Sequence, residues 1–151
     1  METVKKMSWT MYLVVLICFL MPFMKISCGG QSVATVSGVQ LATGFEMSTG
    51  YDKQKVPADP KIIAVLALAG LGLISLIVFK KTKAAFVTAG GASVLAAALL
   101  VIFKITTDND VLKQGEGLVQ VSYGAGYWGA LLINTALVIL MFYLGNNTRK
   151  K

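Results

Sequence analysis

Charge is scarce in this chain of 151 residues. Only 14% of them are Asp, Glu, Lys or Arg and 56% are hydrophobic, whereas soluble domains run nearer a quarter charged. The balance excludes an ordinary soluble fold and points to a membrane protein. Histidine is absent, which removes the commonest general base and metal ligand. A haem would have to rely on Met or Tyr for its axial ligands. The two cysteines, Cys18 and Cys28, are too few for a disulfide framework. Ten residues apart, about 15 Å along a helix, they cannot bond without unwinding it. No phosphate loop, nucleophile elbow or paired carboxylate is found. Enzymes and transporters of the membrane usually hold ionisable groups at depth, and none falls inside the apolar runs of this chain. The chain is therefore expected not to be an enzyme, with no cofactor and no metal.

What is present is apolar length. A helix needs about 20 apolar residues to cross a hydrocarbon core of ~30 Å. Four stretches meet that requirement, over about 8–25, 61–80, 84–104 and 127–145. They predict a mostly α membrane protein of one domain, residues 1–151, with four transmembrane helices in an antiparallel bundle.

Basic residues flank these spans unevenly. Lys5 and Lys6, then Lys80, Lys81 and Lys83, then Arg149, Lys150 and Lys151 fall on one side with a single acid, Glu2. The other side holds Lys25, Lys53, Lys55, Lys61, Lys104 and Lys113 against an equal number of acids. The whole formal charge of +7 thus lies on one side, and cytoplasmic ends retain Lys and Arg. Both termini are expected in the cytoplasm. The charge is accounted for by topology, with no nucleic acid as partner.

The outer loops, 26–60 and 105–126, each contain a strand-like piece. QSVATVSGVQLATG (31–44) is rich in Val and Thr and is split by Ser37-Gly38, which reads as a tight hairpin. Residues 118–123 alternate with a period of two. An isolated hairpin is marginal in water, so the strand from the second loop is expected to join it in one small extracytoplasmic antiparallel β-sheet. Val33, Val36, Val39, Leu41, Val119, Val121 and Tyr123 are the candidate interaction residues of this outer cap. The polar segment 47–61 reads as an irregular connector ending where Pro60 can start a helix. The polar segment 106–117 lacks the glycine and terminal glutamate of a calcium loop.

Inside the membrane, helices associate through small residues. Ala85, Ala89, Ser93 and Ala97 follow one another at spacings of four and form a candidate packing ridge. Asn134, with Thr135, interrupts the last apolar run and is expected to make an interhelical hydrogen bond. Pro22 should end or kink the first helix.

The stretch MKISCGG (24–30) has features of a lipoprotein signal, but Lys25 stands three before Cys28, where an apolar residue is wanted, and the preceding run is long enough to span. It reads instead as the membrane-to-water hinge, with Lys25 at the interface and Gly29-Gly30 turning the chain into its first strand.

The string ISCGGQSVATVSGVQLATG (26–44) resembles a signature of small bacterial four-span membrane proteins: S-C-x-G, then S-G-x-x-L-A-x-G, after one hydrophobic helix and before three more. The resemblance implies a multi-pass protein of the bacterial inner (plasma) membrane and carries no activity with it. The layout, with two strand-prone outer loops and the first longer, is also similar to the claudin family, although the paired loop cysteines and W-G-L-W motif of claudins have no counterpart here. The expected function is that of a non-catalytic structural or accessory subunit, surrounded by membrane lipid and assembled as a homo-oligomer or within a larger membrane complex. The alternative is a small homo-oligomeric transporter or channel, with Asn134, Thr135, Ser93 and Thr88 lining a polar path.

Overall fold

The computed structural model describes residues 2–48, 53–78, 83–114 and 119–147. The chain is mostly helical with small antiparallel sheets. Helices α1 (Glu2–Leu20), α3 (Pro60–Val78), α4 (Lys83–Gln114) and α5 (Ala125–Asn147) pack around one apolar core, with a short helix α2 (Gly38–Thr43) beside them. Three of them, α3, α4 and α5, are long and apolar enough to cross a membrane. The apolar part of α1, Met7–Leu20, is shorter, yet Tyr12, Val15 and Phe19 on it are among the most deeply buried side chains of the molecule.

The first apolar run does not stay helical to residue 25. Helix α1 closes with Met21 N donating to Cys18 O at 3.2 Å, and Pro22, which has no N–H to continue the ladder, opens strand β1 (Pro22–Cys28). Strands β2 (Gln31–Ser37) and β5 (Val119–Tyr123) pair with it antiparallel, in the order β2-β1-β5. Both predicted loop regions therefore contribute to one sheet, but the hairpin is not where the sequence was read to put it. It lies between β1 and β2, around Gly29 (φ 59) and Gly30 (φ 85). Two successive positive φ values suit a two-residue turn, and glycine adopts them without strain.

Ser37-Gly38, read above as the hairpin turn, starts α2 instead. Ser37 caps it: Gln40 N donates to Ser37 Oγ at 3.3 Å and Ser37 N donates to Gln40 Oε1 at 2.9 Å. The S-x-x-Q spacing is that of a capping box. A second hairpin, β3 (Phe45–Ser48) with β4 (Lys53–Val56), replaces part of the expected irregular connector. Beyond it, the predicted start of α3 at Pro60 is observed. Asp59 accepts from Lys61 N at 2.8 Å as the cap, and its own N–H ties back to Leu41 O at 2.8 Å.

The second departure from the sequence reading is in α4. It continues past Lys104 through TTDNDVLKQ to Gln114, a helix of 32 residues, where an irregular loop was expected. Thr106 secures the start of this extension by donating to Ile102 O at 2.9 Å, and Lys104 and Asp108 form an i,i+4 pair at 2.6 Å.

Candidate functional site

Two places gather the polar side chains of the bundle and the cap. The first is inside the helices. The predicted small-residue ridge faces inward, with Ala85, Ala89 and Ser93 buried and Ala97 half-buried. Its partner is Tyr12 of α1. The Tyr12 hydroxyl donates to Ala89 O at 2.7 Å and lies 2.7 Å from Ser93 Oγ. One phenol proton cannot serve both, so Ser93 donates to Tyr12. Gly72 of α3 makes room for the ring, since a Cβ there would stand 2.6 Å from Tyr12 Cε1. Small residues on α3 and α4 thus admit one aromatic side chain from α1, and its polar tip is satisfied without water.

Asn134 is only 1% exposed, on the inner face of α5. Its bond is not interhelical. Nδ2 donates to Ala130 O at 2.8 Å in the same helix, the i−4 pattern open to any short polar side chain on a helix. Oδ1 is the one buried side-chain polar atom without a partner among the described residues. Thr88 and Thr135 lie on the exposed side of their helices and donate to carbonyls of their own turns. The four residues considered for a polar path therefore fall on different faces, Ser93 and Asn134 inside and the two threonines outside.

The second place is where α1, α5 and the cap meet. Phe19, Phe23, Tyr127 and Tyr123 form a chain of aromatic contacts with successive ring centroids 5.0, 5.8 and 4.8 Å apart. Phe23 reaches it through a β-bulge: Pro22 faces Ser37 and Met24 faces Val36, so Phe23 is the extra residue. The bulge turns two successive side chains, Phe23 and Met24, into the core. Tyr127 donates to Leu100 O at 3.1 Å. Tyr123 donates to Asp108 Oδ1 at 2.7 Å, while Asp108 Oδ2 holds Lys104 Nζ at 2.6 Å and that ammonium stands 4.9 Å from the Tyr123 ring centre. The extension of α4 is in this way fastened to β5. Burial pushes the Tyr123 hydroxyl above its ordinary pKa, and the Asp108 carboxylate it donates to adds to the shift.

The aromatic contacts depend on close backbones. Residues 124–129 read GAGYWG, a G-x-G-x-x-G spacing that follows a strand and opens a helix, as in dinucleotide-binding turns. Here the glycines admit the chain itself: a Cβ on Gly126 would lie 2.6 Å from Cys18 O, and one on Gly129 would lie 3.1 Å from Cys18 Sγ. The spacing of these glycines is visible in the sequence, but the backbone that fills it comes from α1.

The candidate cap residues divide. Val36 and Leu41 are buried, and Val39, Val121 and Tyr123 are half-buried against the core. Val119 is half-buried too. Only Val33 is exposed, at 38%. It is the extra residue of a second irregularity, where Ile26 faces Ala34 but Ser27 faces Ser32. The outer face of the sheet is polar instead, with Thr35, Lys25 and Ser122 side by side in register. No protein-family model matches the chain, and no curated protein matches it either.

Proposed function

We propose that this chain is a non-catalytic integral membrane protein that crosses the bilayer four times and serves as a structural or accessory subunit through its cap. Both termini lie in the cytoplasm in this reading and the three-stranded sheet lies outside, in a bacterial inner membrane as the S-C-x-G signature implies. Support for α1 as the fourth crossing comes from its place in the bundle. Tyr12, Val15 and Phe19 share a core with three helices apolar enough to cross, and a helix lodged among them shares their solvent. Its apolar part, Met7–Leu20, is about 21 Å long, and Lys5 and Lys6 before it have stems that can reach the interface.

The observation that carries the interaction role is the edge of the sheet. Strand β2 stands at the end of the order β2-β1-β5, and its residues QSVATVS include no charge and no proline. Natural edges are usually protected by one or the other, because an open ladder accepts another strand. A photo-crosslinking amino acid at Val33, with one at lipid-facing Ile139 as control, tests this in native membranes. A discrete adduct from position 33 and none from 139 is expected; a chain that stays monomeric and uncrosslinked from position 33 removes the proposal. The topology has its own test in the native cysteines. Cys28 is exposed and Cys18 buried, so a membrane-impermeant maleimide should label intact cells at Cys28 alone. Labelling that requires lysis would put the cap on the other side.

A further inference from the structure

The two edges of the cap sheet are finished differently. Strand β5 lies against α4, to which Tyr123 is bonded through Asp108 at 2.7 Å. Among the described residues β2 pairs with β1 alone. From Ala34 to Val36 it is regular, each residue facing one of β1, and the irregularity at Val33 ends that run. Thr35 stands in the middle of it, exposed, in a row with Lys25 and Ser122 on the outer face. The opposite face is apolar, and Met24, Ile26, Ala34, Val36, Val121 and Tyr123 all join the core of the helices. Strand β1 packs on α5, β5 on α4, and β2 reaches α1 and α3 through α2. The sheet therefore lies across the end of the bundle, and its normal follows the bundle axis.

We infer that the strand received by the β2 edge is β2 of a second copy of this chain, paired antiparallel about a two-fold axis at Thr35. The inference rests on the reading of that edge as an interaction surface in a membrane-spanning protein, and it names the partner. Symmetry supplies the first argument. Identical strands exchange in an antiparallel pair only about an axis along the sheet normal, and two chains inserted in one membrane in the same sense are related only by an axis along the membrane normal. Because the sheet lies across the bundle end, the two directions coincide. A sheet flanking the bundle would forbid the pairing. Charge supplies the second argument. In an isologous contact a charge on the axis meets its like. About Thr35 the facing pairs are Val33 with Ser37, Ala34 with Val36 and Thr35 with itself, none of them charged. Threonines facing across strands are a favourable pair. The charge beside Thr35 in the row, Lys25, is one strand further in. Its two copies stand three strand spacings apart, about 14 Å, beyond the Debye length of about 8 Å at physiological salt. The outcome is one continuous sheet, β5-β1-β2 followed by β2-β1-β5 of the second copy.

Disulfide trapping of the full chain in native membranes tests the register. In a Cys28→Ser background, Thr35→Cys puts two thiols at the axis, where facing Cα atoms are about 4.5–5.5 Å apart, within the span of a disulfide. Copper phenanthroline with oxygen should convert most of this variant to a covalent dimer. Gln31→Cys, four residues from the axis, sets its two copies about 26 Å apart and should stay monomeric. Thr35→Lys places like charges face to face. It should turn a dimer into a monomer by native mass spectrometry in mild detergent, with the helical circular dichroism unchanged. Equal trapping from positions 31 and 35 reports collision alone and overturns the inference, as does a dimer that survives Thr35→Lys. Absence of trapping at 35 overturns it too, and the crosslinker at Val33 then keeps the two readings apart. An adduct with another protein leaves the edge as a docking surface with a different partner, whereas no adduct removes both.

Discussion

Tyr12 and Tyr123 hold comparable positions in two different regions, and they use their hydroxyls on different chemistry. In the bundle, Tyr12 donates to a backbone carbonyl and receives from a serine, so the node carries no charge. In the cap, Tyr123 donates to a carboxylate that a lysine also holds. The difference follows the solvent. Inside a bundle of apolar helices a charge has no water to screen it and a neutral network is the cheaper arrangement, while half-exposed ion pairs at the margin cost little to form and contribute little. The bundle is held by shape and neutral hydrogen bonds, and the cap is fastened to it by contacts that water can reach.

Breaking the joint between the two regions should have the largest effect. Gly126→Val places a branched side chain among the carbonyls of Cys18, Met21 and Pro22, at 2.6, 3.0 and 3.0 Å from its Cβ. Backbone on three sides cannot give way, so the loss should reach or exceed the ~3 kcal/mol of severe overpacking; size-exclusion in detergent should show aggregate in place of a monodisperse peak. Tyr12→Phe keeps the ring in the Gly72 gap and removes only the hydroxyl. Interhelical bonds of this kind are worth about 0.6–1.7 kcal/mol, so a lowered unfolding midpoint that does not change with added salt is expected. Asp108→Asn removes the charge that joins Lys104 to Tyr123, and a half-exposed pair contributes at most about 1 kcal/mol. Here the loss should shrink as salt rises, and amide exchange should speed up in β5 before it does in α5. Salt dependence at Tyr12, or its absence at Asp108, would erase the contrast drawn above.

Asn134→Leu should have the smallest effect and could stabilise the chain. The substitution removes a buried acceptor that has no donor, and replacing such a group with an apolar one of similar volume is often neutral or favourable. A drop of more than about 2 kcal/mol would mean that Oδ1 has a partner in the native membrane and would favour the transporter reading. Flux in proteoliposomes with the same variant separates the two.

Much of this was legible in the sequence because it depends on local chemistry. The apolar runs, the break at Pro22, the start of α3 at Pro60, the Gly29-Gly30 turn and the alternation in β5 each follow from a few adjacent residues. The ridge through Ala85, Ala89 and Ser93 was visible as a spacing, although the ring that fills it comes from 77 residues away. The errors arose where two local readings competed. Ser37-Gly38 suits a hairpin turn, but Gln40 stands at the position that completes a capping box, and the pairing of β2 with β1 left no strand beyond it. TTDNDVLKQ looks like a loop by polarity; Lys104, Asp108 and Tyr123 together keep it helical, and one of the three lies in another element.

The sequence by itself determined the solvent. Composition and run length make three of these helices apolar enough to cross a bilayer, and the placement of lysine carries the expectation of which way they face, because transfer of apolar and charged groups is a sum over residues. Only the tertiary structure decided which side of each helix is inside. That outcome rests on steric fit between distant segments: glycines that admit Tyr12 and the carbonyls of α1, and a bulge that turns Phe23 inward. Whether Gly72 is a packing surface or a gap depends on the ring that arrives opposite it, and no property of the residue alone carries that information.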